Sequence, residues 1–191
     1  MKKYFLHPVF TLVATLWANA QNLDKMLWFN EPESYTIRNG KLEMDVPAQT
    51  DYWRIAHYGF TVDDGPFLYT TVGGEFEAKI KVGGDYKVRF DQAGMMIRKD
   101  PSDWSVIELK EPIPFLWLKA VRRLDAIELY YSFDDKEYTM MRTLWMQDNC
   151  PLMVGPVAAC PDGQGFKAVF SHFKVKHLPD QRRVEWLRNN Q

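Results

Sequence analysis

A period of two runs through this chain and limits its fold more than any other feature. In Lys41-Leu42-Glu43-Met44-Asp45-Val46, apolar residues alternate strictly with charged ones, as in a strand with one buried face. Glu75-Phe76-Glu77-Ala78-Lys79-Ile80-Lys81-Val82 repeats the alternation, with Phe76, Ala78, Ile80 and Val82 inward, and stops at Gly83-Gly84-Asp85. Tyr35-Thr36-Ile37-Arg38 leads into the first of these strands through Asn39-Gly40, the strongest short hairpin signal, because both residues tolerate positive φ. Further strands are predicted over 93–98, 126–133, 138–144, 150–159 and 166–176, with Asp134-Asp135-Lys136 turning one hairpin and Pro161-Asp162-Gly163-Gln164-Gly165 separating the last pair. No long helical period interrupts them. The chain is therefore predicted to be all-β, an antiparallel β-sandwich or barrel. A short helix is expected at the C-terminus, where Pro179-Asp180 can cap a segment carrying Val184 and Leu187 on one side.

The first residues have a different character. Met1-Lys2-Lys3, an apolar stretch from Tyr4 to Trp17 and Ala18-Asn19-Ala20 form the three regions of an export signal, with cleavage expected after Ala20. The apolar part is shorter than the roughly 20 residues a membrane span needs, and no later stretch could cross a bilayer. The plan expected is a signal over 1–20, one sandwich domain over 21–176 and a tail or short helix over 177–191, in a protein exported to the periplasm or beyond the cell. Hydrophobic residues at 46% and aromatics at 15% exclude disorder, and 24 Lys and Arg against 25 Asp and Glu argue against a nucleic-acid partner. Cys150 and Cys160 are the only cysteines. The segment between them reads as a strand, which would hold them far beyond bonding distance, so two free and mostly buried thiols are expected.

Several short blocks stand in a telling order. Thr50-Asp51-Tyr52-Trp53-Arg54 precedes His57-Tyr58-Gly59-Phe60; Gly74-Glu75-Phe76-Glu77 and Asp91-Gln92-Ala93-Gly94-Met95-Met96-Ile97-Arg98 follow; Ser102-Asp103-Trp104-Ser105, Tyr131-Ser132, Val154-Gly155 and Gly165-Phe166 come later. From about Trp28 to Val175 the chain thus resembles the "regulation of enolase protein" family, a concanavalin A-like domain of unknown function. The resemblance implies a jelly-roll sandwich related in shape to lectins and glucanases. The sequence departs from the family pattern at one place. Members carry a further strand pair between the blocks ending at Asp100 and beginning at Ser102, where this chain has Pro101 alone. Losing two strands should remove part of one sheet.

Paired carboxylates are the first chemistry to weigh in such a fold. Glu43 and Asp45 match the start of the acidic strand motif of retaining glucanases, but Val46, Pro47 and Ala48 leave the acid/base partner missing. Glu75 and Glu77 share one strand face, yet Lys79 and Lys81 continue it as an ordinary solvated surface. His57, His172 and His177 have no metal-ligand spacing, and no Gly-rich loop opens a helix, so neither metal nor cofactor is expected. A binding face has more support. On the strand ending at Arg98, the residues Gln92, Gly94, Met96 and Arg98 face away from Ala93, Met95 and Ile97. Gln92 and Arg98 could hydrogen-bond a sugar, with Tyr52, Arg54, His57, Tyr58 and Trp104 adding polar contacts and stacking surface; the same aromatics could equally be sandwich core. The candidate ligand residues are these seven, the candidate partner is a glycan, and the reading is a non-catalytic carbohydrate-binding or carbohydrate-associated module. The alternatives are a glycoside hydrolase with an unrecognised carboxylate pair and an interaction or assembly module using Arg182, Arg183, Trp186 and Arg188.

Overall fold

The structure is a computed structural model and describes residues 22–55, 59–109, 113–147 and 150–189. The expected signal, residues 1–20, lies outside them. Its strands in chain order are β1 (Leu27–Phe29), β2 (Tyr35–Arg38), β3 (Lys41–Val46), β4 (Tyr52–Arg54), β5 (Thr61–Asp63), β6 (Phe67–Val72) and β7 (Phe76–Gly84). They continue as β8 (Gln92–Asp100), β9 (Asp103–Leu109), β10 (Leu116–Arg123), β11 (Ala126–Ser132), β12 (Thr139–Trp145), β13 (Leu152–Ala159) and β14 (Phe166–His177), followed by the helix α1 (Gln181–Asn189).

These strands form a five-stranded sheet in the order β1-β6-β13-β8-β9 and a seven-stranded sheet in the order β12-β11-β10-β7-β14-β3-β2, antiparallel throughout. The period of two explains why they stack. Leu42, Met44 and Val46 of β3, Phe76, Ala78, Ile80 and Val82 of β7 and Phe170 of β14 turn inward, and Ala93, Met95 and Ile97 of β8 face them from the other sheet in one core. Asn39 and Gly40 take φ of 53° and 71°, the two positive values a two-residue hairpin loop requires, and Arg38 pairs with Lys41 across it. The fold is the all-β antiparallel sandwich that the sequence predicts.

Three details depart from the sequence reading. Strands β1, β4, β5, β6, β9 and β10 were not foreseen; β10 places Arg122 where the alternation calls for an apolar residue. Arg122 is buried and donates to the carbonyl oxygens of Cys150 (2.7 Å) and Gln147 (3.0 Å), which satisfies it inside. Both cysteines are free, with β13 between them, but only Cys160 is buried; Cys150 is half-exposed. The helix α1 exists, yet Val184 and Leu187 face solvent, and it is fastened at its start by Glu75, whose carboxylate accepts from the Gln181 amide at 2.8 Å and from Arg123 at 2.8 Å.

The last two strands occupy interior positions: β13 lies between β6 and β8, and β14 between β7 and β3. At Gly155 of β13 the backbone of β6 comes so close that a Cβ would collide with the carbonyl oxygen of Leu68.

Candidate functional site

The outer face of the five-stranded sheet is not bare. Phe67, Met96, Val157 and Ala159 form a second apolar cluster there with Tyr52, flanked by Trp104 and Val106. A two-stranded ribbon, β4 paired with β5, lies over this cluster. The ribbon is anchored by polar side chains in addition to packing. Arg98 rises from β8 and donates both terminal nitrogens to the Asp63 carboxylate of β5, at 2.5 and 2.6 Å, while its guanidinium lies 4.5 Å from the Phe29 ring centre. The paired Asp63 holds the Arg98 guanidinium even more firmly protonated than usual. The Tyr52 hydroxyl donates to the Gly65 carbonyl at 2.5 Å, and burial, reinforced by the Asp63 charge, pushes the phenol well above its ordinary range. The Gln92 amide donates to Asp51 at 3.1 Å, and Arg54 reaches the Pro101 carbonyl at 3.3 Å, where β8 turns into β9.

Between ribbon and sheet runs an open groove of about 920 Å³. It is within the size range of small-ligand sites. Tyr52, Arg54, Gln92 and Trp104 all line it, so the structure brings four of the seven sequence candidates together. Tyr52 meets Trp104 edge to face, with ring centres 6.0 Å apart. His57 and Tyr58 lie outside the described residues. Arg98 departs from the expectation: its side chain is 1% exposed and committed to Asp63, so it supports the ribbon from beneath and does not line the groove. The alternation put Arg98 on the correct face; what it could not show was an acid arriving from another strand to cover it.

The groove also contains residues that the sequence reading missed. Trp53 and Phe60 meet at the ribbon with ring centres 6.2 Å apart and planes tilted by 33°, Phe90 (39% exposed) carries the Arg89 guanidinium 4.2 Å above its ring, and Arg142 reaches in from β12. Trp53 and Phe60 stood within the quoted sequence blocks and were legible as aromatics. Arg89, Phe90 and Arg142 come from a turn and from the far sheet, which no local pattern signals.

Three of the four carboxylates considered for catalysis are occupied. Glu43 bonds Lys41, and Asp45 bonds Lys167 at 2.6 Å; both carboxyls sit below their ordinary values because of these lysines, the reverse of what a general acid needs. Glu75 is buried against Arg123 and the helix start. Among the described residues no three His, Cys, Asp or Glu side chains converge as metal ligands.

The family description "Protein of unknown function (DUF1349)" matches residues 28–104 and 98–178, nearly the whole sandwich. The chain belongs to this family. The two matched segments overlap at 98–104, across the β8–β9 turn. Regulation of enolase protein 1 of Saccharomyces cerevisiae is 29% identical over 178 residues, covering 80% of this chain and 90% of that protein. A crystal structure of a functionally unknown Saccharomyces cerevisiae protein superposes on this DUF1349 sandwich with a TM-score of 0.75 and 28% identity, covering 82% of this chain and 98% of the other. A mutant of the GH43 protein BlXynB from Bacillus licheniformis matches in fold alone, with a TM-score of 0.61 and 15% identity, over 82% of this chain and 38% of that one. Lectin I-B4 from Griffonia simplicifolia shares the same sandwich, with a TM-score of 0.51 and 9% identity over 84% of this chain and 95% of the lectin.

Proposed function

We propose that this DUF1349 protein binds carbohydrate without transforming it, in the groove between the β4–β5 ribbon and the five-stranded sheet, and that it acts after export with cleavage following Ala20. The observation carrying the reading is the mixture of groups on the groove walls. Trp104, Trp53, Phe60 and Phe90 offer ring surface, and Gln92, Arg54, Arg142 and Ser102 stand among them as hydrogen-bonding groups. Sugars present apolar C–H faces rimmed by hydroxyls, so they suit aromatic surface interrupted by a few polar groups. The lectin-like sandwich is consistent with this reading at the level of fold. Glu43, Asp45 and Glu75, tied to lysine or arginine, give no support to the hydrolase alternative.

A glycan array followed by calorimetry on purified protein tests the proposal. One or more neutral oligosaccharides should bind, with affinity falling at least about tenfold in Trp104→Ala and in Arg54→Ala, a loss of about 1.4 kcal/mol or more. Thermal midpoints should stay close to that of the parent for the exposed Arg54. No binding on the array, or binding unaffected by both changes, overturns it. The mass of the protein recovered from the periplasm or medium should correspond to a chain starting at Gln21.

A further inference from the structure

The opposite face of the molecule carries an arrangement that the groove does not explain. A bulge in β14 between Ser171 and Lys174 sets Lys174 across from Lys79 of β7, and Lys79 in turn pairs across from Lys119 of β10. Three lysines thus stand side by side on adjacent strands, about 4.8 Å apart at the backbone. Like charges directly opposite destabilise a sheet. A single carboxylate, Asp135, bonds this row, on Lys79 at 2.6 Å. Among the described residues, Lys81, Lys119 and Lys174 have no carboxylate within ion-pair distance. Two of these ammonium groups rest on aromatic rings: Lys119 lies 4.0 Å from the Tyr138 ring centre and 4.7 Å from that of Tyr130, and Lys81 lies 3.4 Å from Phe115 and 5.8 Å from Trp117. The same bulge holds His172 at φ 56° with its ring 5.2 Å from Trp117. A strained bulge, a row of lysines that shares the single carboxylate of Asp135 and half-exposed rings coincide on one face.

We propose that this outer face of the seven-stranded sheet is a second binding site, selective for acidic glycans that bear uronate groups. Sugar carboxylates would pair with Lys81, Lys119 and Lys174, relieving their mutual repulsion, while the apolar faces of the sugar rings pack on Trp117 and its neighbours. A single-stranded nucleic acid also combines charge with stacking. It fits less well, because the chain lacks the basic excess that nucleic-acid-binding domains carry. The inference stands independently of the groove, which shares none of these lysines or rings.

Titration of the exported protein with a galacturonate hexamer, a neutral glucose hexamer and a short oligodeoxythymidylate tests it. The galacturonate hexamer should bind and weaken as salt rises. The double variant Lys119→Gln/Lys174→Gln should bind it at least about tenfold more weakly and keep a melting point close to that of the parent, because losing two like-charge contacts with Lys79 offsets losing the ring contacts of Lys119. Trp104→Ala, in the groove, should leave this binding unchanged, which separates failure here from failure of the groove reading. Equal binding of the neutral hexamer, tighter binding of the oligonucleotide, no binding of any probe, or a double variant that melts lower while still binding galacturonate would each overturn the proposal.

Discussion

Arg98 shows how a single side chain can be read correctly for placement and wrongly for role. Its position in the alternation puts it on the outer face of β8, where a long polar group suits a ligand. The structure supplies that guanidinium with Asp63, 35 residues earlier, and covers it with the ribbon. A fork-shaped pair of hydrogen bonds to one carboxylate fixes angle as well as distance, so Arg98 determines how the ribbon sits above the sheet. Arg98→Met should leave Asp63 without its partner. The expected loss is about 2–3 kcal/mol in urea denaturation, below the ~3–5 kcal/mol of a fully buried broken pair, because the Asp63 side chain remains 24% exposed. Arg98→Lys should recover only part of it, since an ammonium cannot reproduce the fork. A loss below about 0.5 kcal/mol, typical of exposed pairs, would remove the anchoring role.

Among the elements, β13 gives the clearest physical reason for a short sequence block. Val154-Gly155 is part of the family resemblance, and the structure shows why glycine stands there: the Leu68 carbonyl oxygen of β6 occupies the space a Cβ would need. Gly155→Ala should therefore destabilise by about 1–3 kcal/mol or more, since backbone must shift and no flexible side chain can yield instead. At Gly73, where nothing lies within 4 Å of the added Cβ, alanine should change stability by less than about 0.5 kcal/mol. Thermal melts of the two variants side by side measure the contrast. The same scale shows what the sequence could disclose. Strands β3, β7 and β11, each with one wet face, wrote their alternation plainly. Strand β10 hid its own behind Arg122, whose inward position is tolerable only because two distant carbonyls receive it. The groove was half legible: Tyr52, Arg54, Gln92 and Trp104 lay in blocks that drew attention, whereas Arg89, Phe90 and Arg142 join them through tertiary folding alone.

For the molecule as a whole, acid stability follows from its ion pairs. The Asp45 carboxyl lies below its ordinary value because Lys167 and Ser34 bond it. At Asp135 burial works to raise the value, and hydrogen bonds from Lys79 and Tyr138 more than offset that, leaving it lowered. A group whose value is depressed by folding binds fewer protons in the native state than in the unfolded one. Its contribution is complete above the unfolded value near pH 4 and fades as pH drops through the native value. The urea midpoint should hold steady from about pH 7 to pH 5 and fall below about pH 4, and Asp135→Asn should flatten part of that fall. At the alkaline end the sign reverses. Glu128 accepts from the Tyr130 hydroxyl and pushes its value up to about 12, so that contribution persists below pH 10 and disappears as pH rises towards 12.

The interior placement of β13 and β14 also sets the order in which the chain can assemble. Each sheet receives its closing strand from the final stretch of the domain: Leu152–Ala159 joins β6 to β8, and Phe166–His177 joins β3 to β7. Until those residues have left the ribosome, four half-sheets exist with unpaired interior edges, each a template for the wrong neighbour. Contacts this distant in sequence make folding slow, and nearly the whole chain must be present before it begins to succeed. Synthesis stopped before Leu152 would therefore leave both sheets split, with their interior edges unpaired.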